Sequence, residues 1–244
     1  MLQTVETAIH SGRYPTWIQT IVEETEAGAQ SVAKHEAWFR FSDGTIPQAK
    51  HQALLMGLWP LIERFPQFLA LNLLKCSYGE QPGLNTIRGW LINNLRIEQR
   101  HVELYEDWAQ CAGIPRKKLF NDQRPTAAIA VTDWCWHVCQ VDGLAEAMAA
   151  TNFAIEGVTQ EWTQLVWESP NYKLFFAEGQ RKKAMKWIQA HAAYDETHPV
   201  DALDLIYNLL GDTPEESRVQ RVKHAIQKSY DLYLLALDAG MATA

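Results

Sequence analysis

Apolar residues recur at spacings of three and four along almost the whole chain, and polar or helix-breaking residues fall between the segments so formed. One predicted helical segment covers Tyr14–Phe41, from Pro15 to just before Asp43-Gly44. A second begins near Pro47 and reaches Tyr78-Gly79. Kinks are expected in it at Trp59-Pro60 and Phe65-Pro66, because proline removes a backbone donor and clashes with the preceding turn. A third covers Leu84–Ala112, ended by Gly113 and Pro115. The fourth spans Thr126–Ser169 with a bend near Asp142-Gly143, and the fifth spans Gly179–His198, ended by Pro199. A short helix follows to Leu210. The last opens at Thr213-Pro214-Glu215-Glu216, where Thr213 and Glu216 have capping-box spacing, and closes at Gly240. Strand-like alternation is nearly absent, and no repeat or linker stands out. The pattern predicts an all-α bundle of about seven helices, one domain over residues 1–244.

Polar residues interrupt the apolar faces at particular places. On the third segment Ile87, Trp90, Leu91, Leu95, Val102, Tyr105 and Trp108 form one stripe, and Asn94, Glu98 and His101 fall near its middle. Arg96 and Arg100 lie on the opposite, solvent side. A buried carboxylate without a partner is costly, so Glu98 needs a buried cation, a metal or a salt bridge to arginine. His101 alone would also suit a hydrogen-bonded core position. On the fifth segment His191, Asp195 and His198 share a face with Ala184, Trp187 and Ile188. His198 near a helix C-terminus would interact favourably with the dipole, which leaves His191 and Asp195 unexplained. In the fourth, Glu156 lies among small and apolar residues on a face with Ala145, Ala149 and Asn152. A neutral carboxyl hydrogen-bonded to Asn or Thr is the plainer alternative. Taken together, three carboxylates and three imidazoles are what two divalent transition metals use in the core of a helical bundle.

The 244 residues suffice for a substantial core, and 47% hydrophobic with 21% charged residues is ordinary for a globular protein. A net charge of −7 argues against a nucleic-acid partner but leaves small anions open. Ten tryptophans are many for this length. The N-terminus carries no basic region followed by an apolar run, and no stretch is long and apolar enough to span a membrane. The cysteines Cys76, Cys111, Cys135 and Cys139 form no CxxC pattern, so reduced thiols in a cytoplasmic protein are expected.

The segments RGWLINNLRIEQRHVELYEDW, TDWCWHVCQVDGLAEAMAATNFAIEGVTQEW and RKKAMKWIQAHAAYDETHP resemble the haem-oxygenase-like diiron oxidases. Among these, the chain looks most like the bacterial medium-chain fatty-acid decarboxylases that form 1-undecene (UndA type), from about Tyr14 to the last helix. The resemblance implies a haem-oxygenase-like (TenA-like) bundle with metal ligands at Glu98, His101, Glu156, His191, Asp195 and His198. Glu98, His101, Glu156 and His191 would form the catalytic core. Related diiron oxidases carry a Glu seven positions before the His; here that position is Asn94 and Glu98 supplies the acid, as in the decarboxylases. The implied activity is O2-dependent decarboxylation of a medium-chain fatty acid, with two Fe(II) per chain and O2 as co-substrate. The electron donor is not implied, and the chain is expected to be a monomer or homodimer. Because proline disfavours helical geometry at the residue before it, His198 is expected at a helix end, and the iron depending on Asp195 and His198 should be the weaker one. Trp59, Phe65, Trp136, Phe153 and Trp187 are candidates for an alkyl channel, although each also suits ordinary core.

Three alternatives stand beside this expectation. DWCWHVC loosely resembles the part of thiaminase II-like (TenA) proteins that carries a nucleophilic Cys, here Cys135. A different diiron oxidation on the same ligands is a second, and a non-catalytic acyl-binding helical protein is a third.

Overall fold

The computed structural model of the chain describes residues 3–79, 82–193 and 198–243. The described residues are helical with turns between: α1 (Gln3–His10), α2 (Thr16–Ala33), α3 (Glu36–Ser42), α4 (Gln48–Leu74), α5 (Pro82–Cys111), α6 (Arg116–Asn121), α7 (Thr126–Val141), α8 (Leu144–Met148), a π-helical segment (Ala149–Ile155), α9 (Glu156–Glu168), α10 (Arg181–Ala184), α11 (Lys186–Ala193), α12 (His198–Leu210) and α13 (Glu216–Met241). This is the all-α architecture that the periodicity predicts, with several long segments divided.

Each division has a local cause. His35 is extended (φ −62°, ψ 144°) and its Nδ1 accepts the Ala37 N–H at 3.2 Å, so α3 starts as a separate helix. Gly143 is extended as well and separates α7 from α8. Pro60 and Pro66 lie inside α4, which continues through both. The expected helix over 179–198 is not one element. Met185 is a turn between α10 and α11, and Pro199 does not close a helix, since His198 and Pro199 both belong to α12, which runs on to Leu210; residues 194–197 lie outside the described residues. The expected capping box at Thr213 also does not form: Pro214 drives Thr213 toward extended backbone, and α13 begins at Glu216 behind Glu215, whose side chain makes no cap bond.

α13 lies against α2, α4, α7 and the π-helical segment, while α11 packs on α5 and α9. A Cβ at Gly240 would fall 2.5 Å from Leu54 Cδ2, so glycine lets α13 approach α4 this closely. Trp38, Trp108, Trp162 and Trp187 are among the largest fully buried side chains. No helix among the described residues is long and apolar enough to cross a membrane.

Candidate metal centre

α5 carries Asn94, Glu98 and His101 into the core on one face, at 3%, 6% and 5% exposure. The π-helical segment presents the next carboxylate. A π turn holds an extra residue and changes which side chains follow along the face, and such segments are frequent at functional sites. Here it ends at Glu156, whose Oε1 accepts the Asn152 Nδ2–H at 2.7 Å. Asn152 Oδ1 in turn lies 3.1 Å from the Thr151 hydroxyl. The sequence shows a run of small residues here but no sign of the π geometry.

α11 supplies His191. Its Nδ1 is 2.9 Å from the Trp187 carbonyl, which has no proton to give, so Nδ1 carries the hydrogen and Nε2 keeps its lone pair. α12 supplies His198, with Nδ1 3.3 Å from Glu156 Oε2. Donor atoms of Glu98, Glu156 and His198 all lie within 4.8 Å of one another. Ligands bound at about 2.1 Å to one ion stand roughly 3 to 4 Å apart, so this spacing suits a shared cation after small rotamer changes. A second group adjoins it. His101 Nδ1 is 3.3 Å from the Glu98 carboxylate, and the His101 and His191 rings are 4.3 Å apart. Asp195 lies outside the described residues. The structure therefore gathers Glu98, His101, Glu156, His191 and His198 from four helices.

Burial pushes the Glu98 carboxyl up to about 7, and the nearby His198 opposes that rise. Burial also raises Glu156, against the hydrogen bond from His198 and with repulsion from Glu98. The ion pairs of both carboxylates run to histidine, not to Lys or Arg. The salt bridge to arginine that the sequence left open is thus not what offsets Glu98. Two carboxylates packed together with no Lys or Arg paired to them among the described residues fit a divalent cation, which would supply positive charge and keep both ionised. Oxygen and imidazole donors without thiolate suit iron, manganese or zinc.

An open cavity of about 600 Å³ reaches His101 and His198 and is bordered by Arg96, Arg100, Lys186 and Ile97. The helical period of α5 assigns Arg96 and Arg100 to solvent; only the approach of α11 makes them walls of this cavity. Of the five candidate channel aromatics, Trp187 lies against His191 at 3.9 Å. Phe153 borders a small cavity of about 30 Å³ beside Gly157 and Pro199. Trp59 packs on Tyr105 and Phe120, and Phe65 and Trp136 both pack on Phe68. Cys135 is fully buried, and burial with the neighbouring Cys139 holds its thiol well above the usual range. A nucleophilic thiol needs the opposite.

The sequence pattern of one family, described as iron-containing redox enzymes and haem-oxygenase-like, matches residues 52–233. The chain belongs to that family. A crystal structure of a TenA homologue from Pseudomonas syringae pv. tomato is 35% identical and superposes with a TM-score of 0.92, covering 94% of each chain. A TenA homologue from Pyrococcus furiosus has the same fold at 16% identity, with a TM-score of 0.73 over 92% of this chain and 99% of that one. A protein named 4-aminobenzoate synthase from Chlamydia pneumoniae is 22% identical over 200 residues, 80% of this chain and 84% of that protein.

Proposed function

We propose that the protein is an O2-dependent non-haem diiron oxidase that converts a medium-chain free fatty acid to a terminal alkene and CO2. The observation that carries this reading is the Glu98–Glu156–His198 cluster around buried Glu98, with His101 and His191 beside it and, among the described residues, no Lys or Arg ion-paired to either carboxylate. Bound iron would supply O2 activation and a cationic anchor for the substrate carboxylate. Glu98, Glu156, His101, His191 and His198 would hold it, and Asp195 is proposed to complete the weaker of two sites. The fatty-acid part rests on Asn94 in the sequence pattern and on the character of the open cavity.

The remaining work falls to this chain's own side chains. Asn152 orients the Glu156 carboxylate, and the Trp187 carbonyl holds the His191 ring through Nδ1, which leaves Nε2 as the ring's ligating atom. Asn94, buried one turn before Glu98, has neither amide atom hydrogen-bonded and offers a donor and an acceptor to a substrate carboxylate or a water. Leaving such a group unpaired costs about 1–3 kcal/mol, which a ligand would recover. Arg96, Arg100 and Lys186 favour an anion at the cavity mouth, and Ile97 and Leu104 offer apolar surface to its tail. Holding the carboxylate fixes the C3 hydrogens near the oxidant by proximity, without acid–base chemistry. In the balanced reaction the acid loses CO2, two electrons and two protons; O2 takes those and two further electrons and protons and becomes two waters.

The test is anaerobic Fe(II) loading, measurement of bound iron, then O2 and a panel of fatty acids with headspace gas chromatography. A terminal alkene one carbon shorter than its acid is expected. Protein without bound iron would overturn the oxidase reading. Iron-loaded protein that consumes O2 but yields only hydroxylated or other products would overturn the decarboxylase. The relative named 4-aminobenzoate synthase favours a second reading, another oxidation on the same donors, and the same product analysis separates the two.

A further inference from the structure

The proposed reaction needs two electrons from outside the protein, and its ligand and substrate contacts use none of the indole rings of the ten tryptophans. Several of them form an unbroken run of ring contacts that begins on a donor of the metal centre. His191 lies against Trp187 at 3.9 Å. Trp187 stacks near-parallel with Trp108 at 5.2 Å and with Trp162 at 5.7 Å. It also meets the edge of Tyr105 at 5.2 Å. Tyr105 continues to Trp59 at 6.0 Å, and Trp59 touches Phe120, whose ring is 42% exposed. Trp187, Trp108, Trp162 and Tyr105 are each 1% exposed and Trp59 4%, so the run passes through the core to just beneath the surface. Core packing accounts for the burial of these rings. It does not require that the most easily oxidised side chains touch in sequence from a metal-binding imidazole outward.

We propose that Trp187 is the first carrier of an electron relay, running through Tyr105 to Trp59, that delivers external electrons to the metal centre. The proposal rests on the iron-oxidase part of the function above and not on the fatty-acid substrate. In each transfer Trp187 gives one electron to the oxidised iron site and becomes an indole radical cation. Its Nε1–H has no hydrogen-bonding partner among the described residues, so the proton stays and the cation remains a strong oxidant of its neighbours. Trp108 and Trp162 share the missing electron. Tyr105 donates its hydroxyl hydrogen to the Leu55 carbonyl at 3.0 Å, which is no base, so Tyr105 serves as the contact between indoles and not as a resting radical. At Trp59 the electron is replaced by a small one-electron reductant, ascorbate or a thiolate, which is itself oxidised. Two such transfers supply the two electrons that the fatty acid does not.

The relay is tested with Fe(II)-loaded protein, its bound iron measured, mixed with O2 without fatty acid or reductant. Freeze-quench electron paramagnetic resonance with ring-deuterated tryptophan reports an indole radical. Peptide mass spectrometry afterwards locates oxygenated indoles. Oxygenation is expected on buried Trp187, Trp108, Trp162 and Trp59 ahead of Trp167, which is 37% exposed, and ascorbate should suppress it. Trp187→Phe should lower the radical and the oxygenation of Trp59 at least tenfold with bound iron unchanged. If that variant fails to fold or bind iron, Trp59→Phe decides: the inner indoles should still oxidise, and ascorbate should protect them less. Protein that binds iron and consumes O2 but oxygenates Trp167 first, or forms no indole radical, overturns the relay alone. The same holds if Trp59→Phe keeps full protection by ascorbate. Protein that binds no iron overturns the oxidase reading and the relay with it.

Discussion

His51 makes stability depend on pH in a way the structure quantifies. The side chain is fully buried, ringed by Phe41, Trp108, Tyr172, Phe175 and Phe176. Its Nε2 is 2.7 Å from the Tyr172 hydroxyl, which also accepts the Trp108 Nε1–H at 2.8 Å. Tyr172 therefore donates to Nε2, and Nδ1–H has no partner. Among the described residues the titratable group seen against the ring is the Tyr172 phenol, which burial holds neutral. Desolvation lowers the imidazole from 6.5 to about 3. The folded pKa is depressed, so the stability it contributes is complete above 6.5 and is lost as pH falls from 6.5 toward 3, where the unfolded chain binds a proton and the native one does not. Between pH 7.5 and pH 5.5 this amounts to about 1.4 kcal/mol, or a melting-temperature change of roughly 3–6 °C for a chain of this size. His51→Gln keeps an acceptor for Tyr172 without a titrating group. Urea unfolding of both proteins at the two pH values is the assay; all other groups titrate in both and cancel. The wild type should lose about 1.4 kcal/mol more than His51→Gln on acidification. An identical pH dependence in the two proteins would refute the reasoning.

The metal centre predicts that Glu98→Ala and His101→Ala each abolish iron binding and product formation while helical circular dichroism persists; full product yield from either would contradict the assignment. Anaerobic Fe(II) at about a hundred times its dissociation constant should stabilise the wild type by about 2.7 kcal/mol, and should not stabilise Glu98→Ala, as read by thermal melting. Arg100→Glu should raise KM for a fatty acid about three- to fivefold with kcat little changed, since an exposed charge contributes at most about 1 kcal/mol; methyl esters should show no such effect. Cys135→Ala should keep its turnover, because the buried, protonated thiol is no nucleophile; loss of activity in a folded variant would revive the thiol reading.

The sequence by itself determined the helical class and the inward faces of Glu98, His101, Glu156 and His191, because a period near 3.6 states which side of a helix is buried and a polar residue on that side stands out against it. It also marked the starts at Pro15 and Pro47, the stop at Gly113 and a bend at Asp142-Gly143, where the helix in fact divides. It did not determine where the fifth segment divides. That segment divides at Met185, between α10 and α11, and Pro199 lies within α12 instead of closing a helix. Only the tertiary structure decided the rest. The π-helical segment ahead of Glu156 left no mark in the sequence, and the cavity that exposed Arg96 and Arg100 border with Lys186, like the contacts of Trp187 with Trp108 and Trp162, depends on which helices meet. Periodicity reports burial for one helix at a time. Proximity between residues far apart in the chain is settled by packing of the whole core, and there the carboxylates and imidazoles acquire a common centre.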